Sequence, residues 1–171
     1  MNAEIRSETV QDRDAVWNVH RAAFETPAEA NLVDALREGG DVEVSLVAEV
    51  VDEIVGHILF SRLRIVTDVG TTDALSLAPM AVLPKFQRQG IGSALVEAGV
   101  ESCRERGHKI VVVLGHPEFY PRFGFSAEFA RPLKSPFGEG ESWMAVELEP
   151  GALAGIQGCV EYAPPFFSLD E

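Results

Sequence analysis

A chain of 171 residues with 46% apolar and 24% charged side chains is long enough to bury a core and too apolar for a disordered segment, and its length points to a single domain over 1–171. No apolar run approaches the ~20 residues that cross a bilayer, the opening Met1–Glu8 has no signal-peptide hydrophobic stretch, and Cys103 and Cys159 suggest neither a metal spacing nor a disulfide framework. The expectation is a cytoplasmic protein that carries no metal and does not meet a membrane. A net charge of −13 disfavours nucleic acid and favours a cationic partner. That charge is uneven: residues 80–110 hold Lys85, Arg88, Arg104, Arg106 and Lys109 against Glu97, Glu101 and Glu105, a local +2. A mildly basic island in an acidic chain suits an anionic cofactor beside a cationic co-substrate, and the last three of those cations also suit a helix C-terminus.

In chain order, Ala3–Ser7 reads as a short strand, and Thr9 or Asp12 can cap a helix running to about Ala23, with Val16, Val19 and Ala23 on one face. A break at Thr26-Pro27 precedes a second helix, Ala28–Glu38, stopped by Gly39-Gly40. Val42–Val51 and Ile54–Val66 read as an antiparallel hairpin turning at Asp52-Glu53, with His57 as a strand histidine of structural type. Thr67–Asp73 reads as a polar connection to a central strand, Ala74–Val82, in which Pro79 marks a bulge or an unpaired position. A helix follows from Gly90 to Arg106, its inner face traced by Ile91, Ala94, Leu95, Ala98 and Ser102, with Gly107 as C-cap. Ile110–Leu114 is a continuous apolar run of the buried parallel type, so strand, helix and strand form a right-handed crossover. Glu118–Phe123 has room only for a short helix between Pro117 and Gly124, and Trp143–Glu149 reads as the last strand, closing a core of about 3–149. The apolar tail 150–171 could pack on the core, complete a cleft or meet a second subunit, which keeps a homodimer among the readings.

The stretch from Met80 to Ala94 organises the rest. An apolar strand end, Met80-Ala81-Val82, runs through a turn carrying Pro84 into Gly90-Ile91-Gly92 at the start of the long helix. Glycines let a backbone approach a ligand without a Cβ between them, and the first turn of a helix offers N–H groups and partial positive charge to an anion. Arg88 adds a full charge. The chemistry favoured is capture of a pyrophosphate. A dinucleotide fingerprint would want a small residue where Leu95 stands and an acidic one near the end of Ile110–Leu114, where Gly115-His116 follows instead.

Gln87-Arg88-Gln89-Gly90-Ile91-Gly92 resembles the Q/R-x-x-G-x-G/A signature of the GCN5-related N-acetyltransferases, the GNAT superfamily. Gly115-His116-Pro117-Glu118-Phe119-Tyr120-Pro121-Arg122-Phe123-Gly124-Phe125 resembles the tyrosine-then-Gly-Phe block of that superfamily, in the form of its YhbS-like branch. The resemblance implies an α/β (α+β) fold: a mixed, mostly antiparallel sheet flanked by helices, with a splayed parallel strand pair holding acetyl-CoA as co-substrate. Met80 and Val82 would pair with the pantetheine amides, and Gln87, Arg88, Gln89, Gly90, Ile91, Gly92 and Ser93 would hold the pyrophosphate. The first two helices would border the acceptor cleft, where Glu25, Glu29 and Asp34 could meet an amine. The usual Asn-bearing longer helix of the family is absent near Glu118–Phe123, so contacts of that Asn are not expected.

Transfer of an acetyl group from a thioester to a primary amine needs a base for the amine, a donor for the oxyanion and a proton for the leaving thiolate. Tyr120 stands where the family's general-acid tyrosine lies, and its plainer reading is an aromatic that anchors the short helix. The main-chain N–H near Val82 would serve the oxyanion. The base is not legible: His116 follows the end of a parallel strand, where sites in open sheets lie, yet His-Pro is also part of the turn; Glu118, Glu25 and a water are alternatives. The activity implied is an acetyl-CoA-dependent N-acetyltransferase working by direct attack in a ternary complex. The alternative is an acyl-CoA-binding regulatory module without turnover.

Overall fold

The computed structural model describes residues 3–168, with eight strands in one sheet and four α-helices. β1 (Glu4–Ser7) leads through a short 3₁₀ turn at Val10–Asp12 into α1 (Arg13–Ala23) and α2 (Ala28–Glu38). β2 (Val42–Val50), β3 (Glu53–Thr67) and β4 (Gly70–Val82) follow, then α3 (Ile91–Glu105) and β5 (Ile110–Leu114). The remainder holds α4 (Ala127–Ala130), β6 (Leu133–Lys134), β7 (Trp143–Glu147) and β8 (Gly158–Tyr162). Strand order is β1-β2-β3-β4-β5-β7, with β8 against β3 and β6 against β8. The β1–β2, β2–β3, β3–β8 and β5–β7 pairs are antiparallel; β4–β5 and β6–β8 are parallel. The mixed, mostly antiparallel sheet expected from the sequence is the one observed.

The chain divides into two compact units: residues 1–61, 78–101 and 164–171 form the first, and 62–77 with 102–163 the second. In the first, β3 is buried without a break from Val55 to Ser61, the mark of a strand covered on both faces. On one face His57 meets His20 of α1. On the other, a Cβ on Gly99 of α3 would lie 2.4 Å from Phe60, so the glycine is what lets α3 close on that ring. Helix α3 buries Ile91, Leu95, Val96, Val100 and Cys103. Of the inner face read from sequence, Ile91 and Leu95 are buried, while Ala94, Ala98 and Ser102 are half-buried; the stripe is rotated toward Gly99, which meets Phe60 of the sheet.

In the second unit the residues of β3 alternate, with Leu63 and Ile65 buried and Arg64 exposed, as in a strand covered on one face. Three expectations need correction. β4 begins at Gly70, not Ala74, because Asp68-Val69 makes a two-residue turn and leaves no longer connection. Trp143–Glu147 is not the last strand: β8 pairs Leu63–Val66 with Tyr162–Cys159, so the tail supplies a strand of the sheet. The segment 126–134 carries α4 and β6, with Ser126 capping α4 by accepting from Glu128 N–H, where no element was expected. The Ala78–Pro79 peptide is cis, within β4.

Candidate active site

The turn from β4 into α3 is built from backbone. Leu83 N–H donates to Val55 O at 2.8 Å, which ties the end of β4 to β3. Pro84–Phe86 make one 3₁₀ turn, and Gln87 Nε2 reaches back to Val82 O at 2.9 Å. Gln89 Nε2 donates to Lys85 O at 3.2 Å. The chain then turns through two left-handed residues, Arg88 at φ 63° and Gly90 at φ 87°. The first helical hydrogen bond of α3 runs from Ala94 N–H to Gly90 O at 3.0 Å, so Ile91 and Gly92 lie in the opening turn whose N–H groups precede it. Nothing stands within 4 Å of where a Cβ on Gly90 would point. Gln87, Arg88, Gln89 and Gly90 are exposed, Met80, Gly92 and Ser93 half-buried, and Val82 and Ile91 buried. All nine residues expected to hold the cofactor therefore fall in one short run of the first unit. Exposed backbone, left-handed turns and a helix start are the elements from which an anion cradle is made.

The parallel pair β4–β5 is joined at Leu75↔Val111 and Ser76↔Val112, in the second unit. Beyond β5 the chain turns on His116, whose carbonyl accepts from Phe119 N–H at 3.1 Å and from Tyr120 N–H at 3.3 Å. The His116 side chain is exposed. Tyr120 opens a 3₁₀ turn, Tyr120–Phe123, closed by Gly124 at φ 96°. Its ring is buried, edge-on to Phe119 and Phe125 at centroid distances of 5.0 and 5.7 Å. A Cβ on Gly115 would lie 2.5 Å from that ring, so the glycine admits it. Burial pushes the Tyr120 phenol up to about 12, so it keeps its proton at neutral pH.

Sequence reasoning missed a line of polar groups in the first unit, anchored on two buried histidines. His20 and His57 are fully buried and their rings touch through Nε2 and Nδ1 at 2.8 Å. Ser45 Oγ lies 2.8 Å from His57 Nε2 and donates to Glu8 Oε1 at 2.7 Å. Glu8 in turn pairs with Arg37, which also holds Asp34 at 3.0 Å. Burial, with the Arg37 charge, holds His20 down to about 4; burial, His20 and Arg37 hold His57 well below the usual imidazole value. A signal did exist: His20 falls on the apolar stripe of α1 beside Val16 and Val19, where a polar ring demands a buried partner. Among the described residues no group of three or more His, Cys, Asp or Glu side chains is placed to hold a metal ion, and no helix is long and apolar enough to cross a membrane.

Residues 41–127 match the acetyltransferase (GNAT) domain family. The chain is 37% identical to the uncharacterized N-acetyltransferase YhbS of Escherichia coli (strain K12) over 95% of its own length and 97% of that protein's. The chain belongs to the GNAT acetyltransferase family. A crystal structure of E. coli YhbS in complex with CoA superposes on it with a TM-score of 0.90 and 34% identity, covering 98% of this chain and 93% of that one. A GNAT family acetyltransferase from Brucella melitensis, in complex with acetyl-CoA, superposes at 0.80 with 32% identity, covering 96% and 97%. The resemblance read from the loop and from the Tyr120 block is thus the right one, and the observed sheet is the GNAT sheet.

Proposed function

We propose that this GNAT protein is an N-acetyltransferase that moves the acetyl group of acetyl-CoA to a primary amine by direct attack within a ternary complex. The observation that carries the proposal is the backbone cradle between β4 and α3, with Gly90 at φ 87° opening onto the helix start. Two relatives more than 30% identical, crystallised with CoA and with acetyl-CoA, support the same ligand here. Similarity over 95% of the chain supports treating 1–171 as one N-acetyltransferase domain.

In this reading Gln87–Ser93 hold the pyrophosphate, Arg88 adds charge, and main-chain groups of Met80 and Val82 pair with the pantetheine arm. The bond from Gln87 Nε2 to Val82 O fixes the carbonyl end of that strand. The N–H near Val82 serves the oxyanion. The acceptor amine enters beside α1 and α2, and the chain's net charge of −13 suits a cation. The resemblance of its block to the family's general-acid tyrosine gives Tyr120 the leaving thiolate in this reading. With the phenol near 12, outright proton transfer to a thiolate whose thiol has an ordinary pKa of about 8.5 is uphill, so the hydroxyl acts first as a hydrogen-bond donor to sulfur. His116 has its carbonyl committed to the turn and its exposed ring is poorly held for use as a base.

Tyr120→Phe tests this mechanism. The variant keeps the ring that Gly115, Phe119 and Phe125 enclose and removes only the donor. Turnover should fall by ~10² or more while the acetyl-CoA Kd stays the same. A Phe variant as fast as the parent, in a reaction limited by chemistry, removes Tyr120 from the mechanism.

A further inference from the structure

In the second unit a cavity of about 600 Å³ opens between the end of α4 and the turn that enters β7, a volume that suits a small ligand. Its two walls come from neighbouring stretches of chain. Residues 131–134, which leave α4 and form β6, supply Arg131, Leu133 and Lys134; residues 139–143, which enter β7, supply Glu139, Glu141 and Trp143. The indole joins the walls: Trp143 is buried, and its Nε1–H donates to Leu133 O at 2.9 Å. Each wall is also tied to the sheet. Leu133 and Lys134 pair with Gly158 and Cys159 of β8, Trp143 pairs with Leu114 of β5, and Gly115 N–H donates to Ser142 O at 2.9 Å. The floor is thus preformed, which spares a ligand the cost of ordering it.

The charges of the cavity are sorted by wall. The first wall carries two cations, Arg131 and Lys134, and the second two anions, Glu139 and Glu141, all four exposed. Among the described residues none of the four makes an ion pair or a side-chain hydrogen bond. Exposure alone does not account for that. Arg64 pairs with Glu161 and Lys109 with Glu149, although every one of those side chains is more than half exposed. Opposite charges within reach of each other do pair on this surface. Those of the cavity are therefore held apart, one sign on each wall, with the open volume between them.

We propose that this cavity binds a small zwitterion whose ammonium and carboxylate lie at opposite ends of a short chain, the chemistry of a short peptide or an ω-amino acid. The carboxylate meets Arg131 and Lys134, the ammonium meets Glu139 and Glu141, and the chain between them lies over Leu133 and Trp143. Arg131 can take a carboxylate through two parallel N–H groups, while Lys134 acts as a point charge. A ligand with one charge is served badly: an anion gains at one wall and is repelled by the other, and a cation meets the reverse. One ion pair at exposed positions is worth a factor of about 2–5 in affinity, so a ligand that engages both walls at once outbinds either half. An α-amino acid, with both charges on one carbon, spans less of the gap. The ligand is held and not transformed; no bond forms or breaks. Every residue of the site belongs to the second unit, and the inference is independent of the acetyltransferase reading.

The test is an NMR titration of the full chain followed on the indole Nε1–H signals. The chain has two tryptophans; Trp17 of α1 is the internal control, and Trp17→Phe assigns the two signals. The probes are trialanine and ε-aminohexanoate, with hexanoate and hexylamine as single-charge controls. At least one zwitterion should move the Trp143 signal saturably, leave that of Trp17 in place, and bind at least ~5-fold more tightly than either control. Tighter binding of trialanine assigns the peptide, and tighter binding of ε-aminohexanoate the ω-amino acid. Glu139→Gln with Glu141→Gln, and separately Arg131→Ala with Lys134→Ala, should each weaken that ligand at least ~5-fold. Because all four side chains are exposed, both double variants should keep the Tm of the parent. No saturable movement of the Trp143 signal up to about 10 mM of either zwitterion overturns the proposal. So does equal affinity for a single-charge control, or affinity unchanged in either double variant.

Discussion

The cofactor loop and the histidine line lie in the same unit and are built on opposite plans. The loop proposed for the cofactor is a run of neighbours, 82–93, built of main-chain groups and left-handed turns; Gln87 to Gly90 all face solvent. The line is four side chains from four segments, 8, 20, 45 and 57, and both imidazoles are wholly shielded from water. A site for a large anion needs an open mouth and fixed N–H dipoles, which consecutive residues can supply. A pair of neutral imidazoles in the core needs every ring partner placed, which only a packed interior can supply.

The sharpest way to separate the two is to break the line. In His57→Ala both His20 and Ser45 lose a ring-nitrogen partner, and a hole opens on the α1 face of β3. An orphaned buried polar group and a cavity together should cost about 4 kcal/mol, lowering Tm by roughly 10 °C, as read by calorimetry. The same contrast predicts sensitivity to acid. The folded pKa of His20, about 4, lies below the usual 6.5, so the unfolded chain binds more protons between the two values. Stability should therefore fall as pH drops through that window, by about 3 kcal/mol from His20 alone, with His57 acting in the same direction. Urea unfolding followed across that range checks it, and His20→Phe should flatten the slope. The smallest effect belongs to the loop. Gly90→Ala puts a Cβ on a left-handed residue where the ligand must approach, though it meets nothing in the protein itself. Acetyl-CoA binding should weaken at least ~10-fold, or about 1.4 kcal/mol, with Tm only slightly lowered.

That difference of plan also decides what could be read from the residues in order. The turn from β4 into α3 was legible down to its glycines, because a strand end, a glycine pair and a helix start are contiguous in the chain. Helices α1 and α2, the β2–β3 hairpin and β5 were legible because each carries its own period and punctuation. Strand β8 was not: its place against β3 depends on Cys159–Tyr162 meeting residues 63–66, about a hundred positions earlier, and an alternating run of four residues is too short to declare itself. Nor was the line. His20 is seen as a core position only from the stripe it shares with Val16 and Val19, and nothing in the chain order ties it to Glu8, Ser45 or His57. His116, the histidine that stood out by sequence position, serves the turn through its carbonyl.

The central claim is catalysis, and it is most directly tested by incubating the protein with acetyl-CoA and a panel of primary amines. The panel should include polyamines, amino acids and lysine-bearing peptides, with free thiol and acetylated product followed together. The account predicts thiol release that depends on one class of cationic amine and matches the acetylated amine mole for mole. Tight acetyl-CoA binding with no amine-dependent thiol release would contradict it, and would make the protein a binding module that has kept the loop without the chemistry.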